Sequence, residues 1–183
     1  KLKDLEYLEN FTSKLIKNLF NLSPRLYLHK SQNTASLVFR SKSIFYFLEE
    51  CGFPTGRKGE ISIPKWILEN PDFFKKFIRG VFDTDGHLCL KNKEGKKYPV
   101  IGITSKSKSL LFPIKEFLNS YGITSYLGSH RADTSNKKFI VNRVQISGQK
   151  NIGLFFDQVG SNNPRNLMKY MEMAPGGIEP SYN

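Results

Sequence analysis

The segment Phe47-Leu-Glu-Glu-Cys-Gly52 returns as Phe155-Phe-Asp-Gln-Val-Gly160, 108 positions later. Upstream of each copy lies the same order of helix, strand, strand and helix, so one supersecondary unit is used twice. In the first copy, Leu5, Leu8, Phe11, Leu15, Leu19 and Leu22 recur three or four apart, which predicts an amphipathic helix over 4–22 stopped by Ser23-Pro24. Alternation then predicts strands over 25–30 and 34–40. Leu26, Leu28, Leu37 and Phe39 face a core, while Arg25, Tyr27, His29 and Arg40 face away. A short helix over 43–51 ends at Gly52. The second copy reads as a helix near 107–120, strands near 124–131 and 139–147, a helix near 150–159 and a last helix from Pro164.

The second copy carries two further elements. Asn70 and Pro71 begin a helix that ends at Asp83-Thr-Asp-Gly86, and Gly86–Lys91 with Tyr98–Thr104 forms a hairpin around a basic loop, 91–97. Half-buried antiparallel strands alternating with helices define an α+β chain of two pseudo-symmetric repeats, each an antiparallel sheet backed by helices, with the first repeat incomplete. The expected division is 1–70 as a partial first repeat, 71–173 as a complete second repeat and 174–183 as a C-terminal extension. The chain starts at Lys1 inside a helical pattern, which suggests further residues upstream.

Charge narrows the partner. Lys and Arg number 28 against 16 Asp and Glu, a net +12 over 183 residues, and this excess points to a nucleic acid. Cys51 and Cys89 stand apart from each other and from His29, His87 and His130, which argues against zinc and reads as small core-type residues. No apolar run is long enough to span a membrane, and no signal-peptide pattern is present. The expected setting is the cytoplasm or an organellar matrix, without secretion.

Ile78-Arg-Gly-Val-Phe-Asp-Thr-Asp-Gly86 concentrates the chemistry. Gly80 in mid-helix costs roughly 1 kcal/mol against Ala, a cost that close approach of a second helix would offset. Asp85 places a carboxylate at the negative end of the helix dipole, where a cation reverses the penalty. Gly86 suits a left-handed exit into a strand. A calcium loop with Gly86 at its sixth position would need carboxylates at Val81 and Asn92, so that reading fails. A structural helix end is the plainer alternative.

The motif resembles that of the LAGLIDADG homing endonucleases: Gly80, Asp83, Asp85 and Gly86 match, with apolar residues at Ile78, Val81 and Phe82. Gly52-Phe-Pro-Thr-Gly-Arg-Lys58, with Ile63-Pro64 and Ile67, is similar to the stretch between the family's repeats. The resemblance implies metal-dependent hydrolysis of double-stranded DNA. Asp85 would hold Mg2+ or another divalent cation such as Mn2+, and Lys58 would be catalytic beside it. On residues alone, Arg57-Lys58 is an ordinary solvated pair. The repeat aligns Lys58 with Asn166, so the second lysine is absent unless Arg165 or Lys169 replaces it. The chain thus holds one coherent half-site.

A two-stranded ribbon fits the major groove. Alternation turns Leu88, Leu90, Ile101, Ile103, Ile140, Val144 and Ile146 inward and His87, Lys91, Gly102 and Thr104 outward. Arg143 and Gln145 are the expected base readers, for guanine and adenine respectively. Lys93, Lys96 and Lys97 are expected to hold phosphates. The expected DNA-contacting set is Arg25, Tyr27, His29, Arg40, His87, Lys91, Lys93, Lys96, Lys97, Thr104, Arg131, Arg143 and Gln145. The competing reading is a binding protein on the same fold, an RNA maturase or DNA-binding regulator. A monomer is expected, with a dimer through the motif helix as the alternative. Gly80 should then lie in an exposed apolar strip drawn from Phe74, Phe77, Ile78 and Val81.

Overall fold

The structure, a computed structural model, describes residues 4–53, 60–134 and 137–173. The chain opens with α1 (Leu5–Tyr7), passes through a π-helical turn over Leu8–Thr12 and continues as α2 (Ser13–Phe20). The stop falls at Asn21, whose left-handed φ of 51° ends the helix ahead of Ser23-Pro24. Then come β1 (Arg25–His29), β2 (Thr34–Val38) and α3 (Lys42–Glu50), capped by Ser41 and stopped by Gly52 at φ 86°. Pro64 immediately precedes the short helix α4 (Lys65–Leu68).

The motif helix α5 runs over Pro71–Asp85. Asn70 Oδ1 accepts from the Asp72 and Phe73 amides, and Pro71 fills the first position, where no N–H is needed. It leads into β3 (Gly86–Lys93) and β4 (Lys96–Ser105). The expected loop 91–97 is largely strand. Only Glu94 and Gly95 turn, both left-handed at φ 53° and 78°, the pair a tight hairpin needs. After α6 (Lys108–Ser120) come β5 (Ser125–Thr134), β6 (Lys137–Ser147), α7 (Gln149–Gln158) and α8 (Pro164–Met173).

Two antiparallel sheets result: β1-β2, and β3-β4-β6-β5. The repeat is visible here, because β5-β6 has the order of β1-β2 and the hairpin β3-β4 has no counterpart before β1 among the described residues. One face of the four-stranded sheet carries Leu88, Ile101, Ile103, Val144 and Ile146, all buried against Phe74, Ile78 and Phe82 of α5, Leu111 and Ile114 of α6 and Phe155 of α7. Phe82 meets Phe155 edge-on, ring centroids 5.0 Å apart. Leu90 and Ile140 have the inward parity but are 48% and 61% exposed. Both sit near the free ends of long ribbons, beyond the reach of the helix layer, so parity there does not mean burial.

The core runs from Ile63 to Val159 and takes nothing from α1, α2, β1, β2 or α3. Tyr7 is the buried exception, while Phe45, Tyr46 and Phe47 of α3 are all exposed. Ile63 and Ile67, within the expected partial first repeat, nevertheless belong to this core, and Phe53 packs against it.

Two expectations about the motif glycines are corrected. Gly86 is extended (φ −90°, ψ 165°), not left-handed. What excludes a side chain is proximity, since a Cβ there would stand 2.5 Å from the Phe82 carbonyl oxygen and 2.9 Å from its Cα. Gly80 is exposed with nothing within 4 Å of a Cβ position, and the apolar strip expected around it is mostly spent on the core. Phe74 and Ile78 are buried, Phe77 and Val81 pack against the core half-buried, and Phe73 is the exposed aromatic. Gly86→Ala is therefore expected to cost about 1–3 kcal/mol by overpacking. Gly80→Ala should be neutral or stabilising by up to about 1 kcal/mol. Urea unfolding of both variants checks this; a strongly destabilising Gly80→Ala would mean that the glycine already packs against something.

Candidate nucleic-acid interface and the end of the motif helix

The two motif aspartates take opposite environments. Asp83 is 2% exposed. The Ser161 hydroxyl donates to its Oδ1, and the Asn162 amide donates to both carboxylate oxygens at 3.2 and 3.0 Å. Asn163 Nδ2 donates 3.1 Å to the Asp83 carbonyl and 3.2 Å to Asp4 Oδ1, and Asp4 is paired with Arg165 at 2.9 Å. Burial raises the Asp83 carboxyl above the usual range, against the lowering by these hydrogen bonds and by Arg79. Tyr7, itself buried and beside Asp83, is pushed up to about 12, by desolvation first and by the Asp83 charge second. Asp83 thus fastens the end of α5 to the start of α8 and to the chain's first helix.

Asp85, two residues later, is exposed. The last turn of α5 directs its carbonyls the same way; Thr84 Oγ1 donates 3.0 Å to the Gly80 oxygen, and the Gly86 amide to that of Phe82. A carboxylate beside the negative end of a helix dipole suits a hard cation. No group of three His, Cys, Asp or Glu side chains gathers among the described residues, so water and phosphate oxygens would complete such a shell, as is usual for Mg2+. Lys58, expected beside Asp85, lies outside the described residues.

The Asn166 side chain is 1% exposed, and neither amide atom has a hydrogen-bond partner among the described residues. Of its neighbours on α8, Arg165 is engaged with Asp4, whereas Lys169 Nζ donates 3.2 Å to the Leu88 carbonyl, three residues beyond Asp85.

The sheet face away from the helices carries the expected polar row. Paired residues share a face, and the register joins His87 to Gly102 and Gly102 to Gln145, Lys91 to Tyr98, and Thr104 to Arg143. The His87 ring lies over Gly102, where a Cβ would stand 2.5 Å from Cε1. Burial holds the His87 imidazole below its usual range, reinforced by Arg143, Lys169, Lys91 and Arg165. Its surroundings therefore favour the neutral form of the ring. Arg143 Nε is buried without a hydrogen-bond partner among the described residues.

Other placements differ from expectation. Lys96 pairs with Lys93 and shares the face of Lys91, but Lys97 pairs with Asn92 and falls on the opposite face. Both Lys96 and Lys97 are exposed; the Lys93 side chain lies outside the described part. Arg131 pairs with Ile140 and so has the helix-side parity, opposite to Arg143 and Gln145, on an exposed ribbon end. In the first repeat Arg25, Tyr27 and Arg40 line one groove with Leu22, Ser23, Val38 and Phe39, while exposed His29 stands at the ribbon end. Sequence reasoning missed Lys169, Ser161 and Asn162 as partners of the motif end. Proximity of 161–169 to 83–88 has no local signature in the chain.

Residues 72–160 match the LAGLIDADG-like domain family. The fold is similar to that of variants of the homing endonuclease I-DmoI, with a TM-score of 0.55 and 16% identity over 85% of this chain and 74% of that one. Among curated proteins, the chain is 30% identical over 159 residues to a tRNA-splicing ligase RtcB of Pyrococcus abyssi, covering 75% of this chain and 17% of the ligase. It is 32% identical to the RtcB of Methanopyrus kandleri (69% and 13%) and 25% identical to a replication factor C small subunit of Methanocaldococcus jannaschii (90% and 9%). The chain thus spans less than a fifth of the length of these relatives.

The Asp83 carboxyl yields a pH prediction. Its folded-state pKa is raised, so the folded chain binds the proton more tightly than the unfolded one. The resulting stabilisation is present in acid and is lost as pH rises from the ordinary aspartate range through the raised value. Asp83→Asn should remove this fall while costing about 1–3 kcal/mol at neutral pH through weakened acceptance from Ser161 and Asn162. Thermal melts across the acid range measure both; an unchanged pH slope would place the carboxylate in solvent.

Proposed function

We propose that the chain is a site-specific DNA endonuclease that hydrolyses phosphodiester bonds in double-stranded DNA with a divalent metal. The observation that carries this reading is the exposed Asp85 carboxylate at the root of a four-stranded sheet whose outer face bears His87, Lys91, Arg143 and Gln145. Asp85 would hold Mg2+ or Mn2+, which when bound lowers the pKa of a water and stabilises charge on the phosphoryl group. Lys96 and Lys97 hold phosphates from the two sides of the hairpin tip, while the residues between them and Asp85 read bases. Lys58 polarises the scissile phosphate.

The comparisons support a mobile origin. Two ligases and a replication factor subunit have unrelated names, yet each matches this chain over a small part of its length. A segment common to such proteins has the distribution of an inserted element. Among the described residues no helix is long and apolar enough to cross a membrane.

A second reading, binding without cleavage as in a maturase or regulator, is favoured by Asn166. The repeat places this residue where a second lysine belongs, and it is a buried amide. One carboxylate and one lysine serve one scissile phosphate, so a monomer nicks. Supercoiled plasmid carrying a selected binding site should be converted to open circle in Mg2+. Asp85→Asn should abolish this without loss of binding, and Lys58→Ala should slow it roughly a hundredfold. Nicking that survives Asp85→Asn would remove the metal from this site, and binding without nicking in the unmodified chain would favour the second reading. A linear product formed with second-order dependence on protein would indicate a dimer.

A further inference from the structure

Gln145 is not free to read a base alone. Lys91 Nζ donates to its Oε1 at 2.9 Å, and its Nε2 donates to Ser147 Oγ at 3.1 Å. Lys91 is on β3 and Gln145 on β6, so the bond spans β4, the strand between them. Gly102 pairs with Gln145 on that middle strand and supplies no side chain, and Val100, which pairs with Ser147 and Cys89 on the same face, is buried. Lys91 and Gln145 are themselves only half-buried. A long side chain held flat across a neighbouring strand has lost much of its rotamer freedom before any ligand arrives.

The donor count decides what such a pair selects. Reading adenine with a glutamine takes its oxygen for the N6 amino group and its nitrogen for N7. Here a charge-assisted bond takes one of the oxygen's two lone pairs, and Ser147 takes one of the two amide hydrogens. The ammonium retains further N–H donors after serving Gln145. The assembled pair therefore presents three N–H donors against one remaining lone pair, and guanine is the base whose major-groove edge offers two acceptors, N7 and O6.

We propose that Lys91 is the base-reading residue at this point of the sheet, that Gln145 is a positioning residue held in turn by Ser147, and that the three together select guanine. The proposal rests on the reading of this face as a duplex-DNA surface.

The test is selection of binding sites from randomised duplex DNA by the whole chain, followed by equilibrium binding to every single-base substitution of the selected site. The unmodified chain should require guanine at one base pair, and Lys91→Met should lose roughly ten- to a hundredfold of that discrimination. Gln145→Ala should relax the same base pair, and the double variant should discriminate no worse than Lys91→Met. Gln145→Glu keeps an acceptor for the ammonium, so it should bind more weakly yet still prefer guanine. If Gln145 read adenine itself, that variant would instead shift the preference from adenine to cytosine. Such a shift, or relaxation of different base pairs by Lys91→Met and Gln145→Ala, would overturn the proposal while leaving the duplex-binding surface in place. Absence of any sequence-selective duplex binding by the unmodified chain would overturn both. Urea unfolding of each variant separates lost recognition from lost folding.

Discussion

The buried carboxylate of Asp83 sets the position of everything else at the motif. With Ser161 and the Asn162 amide bound to its oxygens, and Asn163 bound to its carbonyl, the last turn of α5 cannot drift relative to the start of α8. Gly86 then has to pass within contact distance of Phe82, which only glycine permits, and the chain enters β3 at once. Asp85, between these two fixed points, is left exposed. The arrangement separates two chemically identical side chains by role. The one that is buried accepts from the Ser161 hydroxyl and the Asn162 amide and holds the fold, and the one left in water remains available to a cation.

From that junction the asymmetry of the molecule follows. The motif helix packs on a sheet that the β3-β4 hairpin extends, and the core runs from Ile63 to Val159. The elements before Ile63 (α1, α2, β1, β2 and α3) contribute nothing to that cluster, and Phe45, Tyr46 and Phe47 of α3 remain exposed. One of the first repeat's connections to the rest passes through Tyr7 and Asp4, which meet the same Asp83–Asn163–Arg165 cluster. A disturbance at Asp83 therefore acts on both repeats.

Elements governed by local physics were legible in the sequence. Asn70-Pro71 starts α5, Gly52 and Gly160 end their helices left-handed, and the period-2 faces place His87, Thr104, Arg143 and Gln145 together. Elements governed by distance were not. Parity correctly assigned Leu90 and Ile140 to the helix side but could not reveal that the helices stop short of the ribbon ends. Arg131 carries the right charge on the wrong parity, and the lysines of 91–97 divide between faces once the turn contracts to Glu94-Gly95. For Gly86, the sequence revealed the need for glycine but not the reason, because a left-handed exit and a close contact demand the same residue. The partners of Gln145 and Asp83 come from elements distant in the chain, and no spacing rule predicts them.

The central claim is that Asp85 brings a divalent metal to a phosphate of DNA lying on the outer face of β3-β4-β6-β5. Fe2+ can replace Mg2+ at such oxygen sites and, with ascorbate and peroxide, produces radicals that break the DNA backbone beside the metal. With the chain bound to an end-labelled selected duplex, the account predicts strand scission confined to a few adjacent nucleotides. That scission should be lost in Asp85→Asn although the duplex remains bound. Scission spread evenly along the duplex, or a localised break that persists in Asp85→Asn, would contradict it.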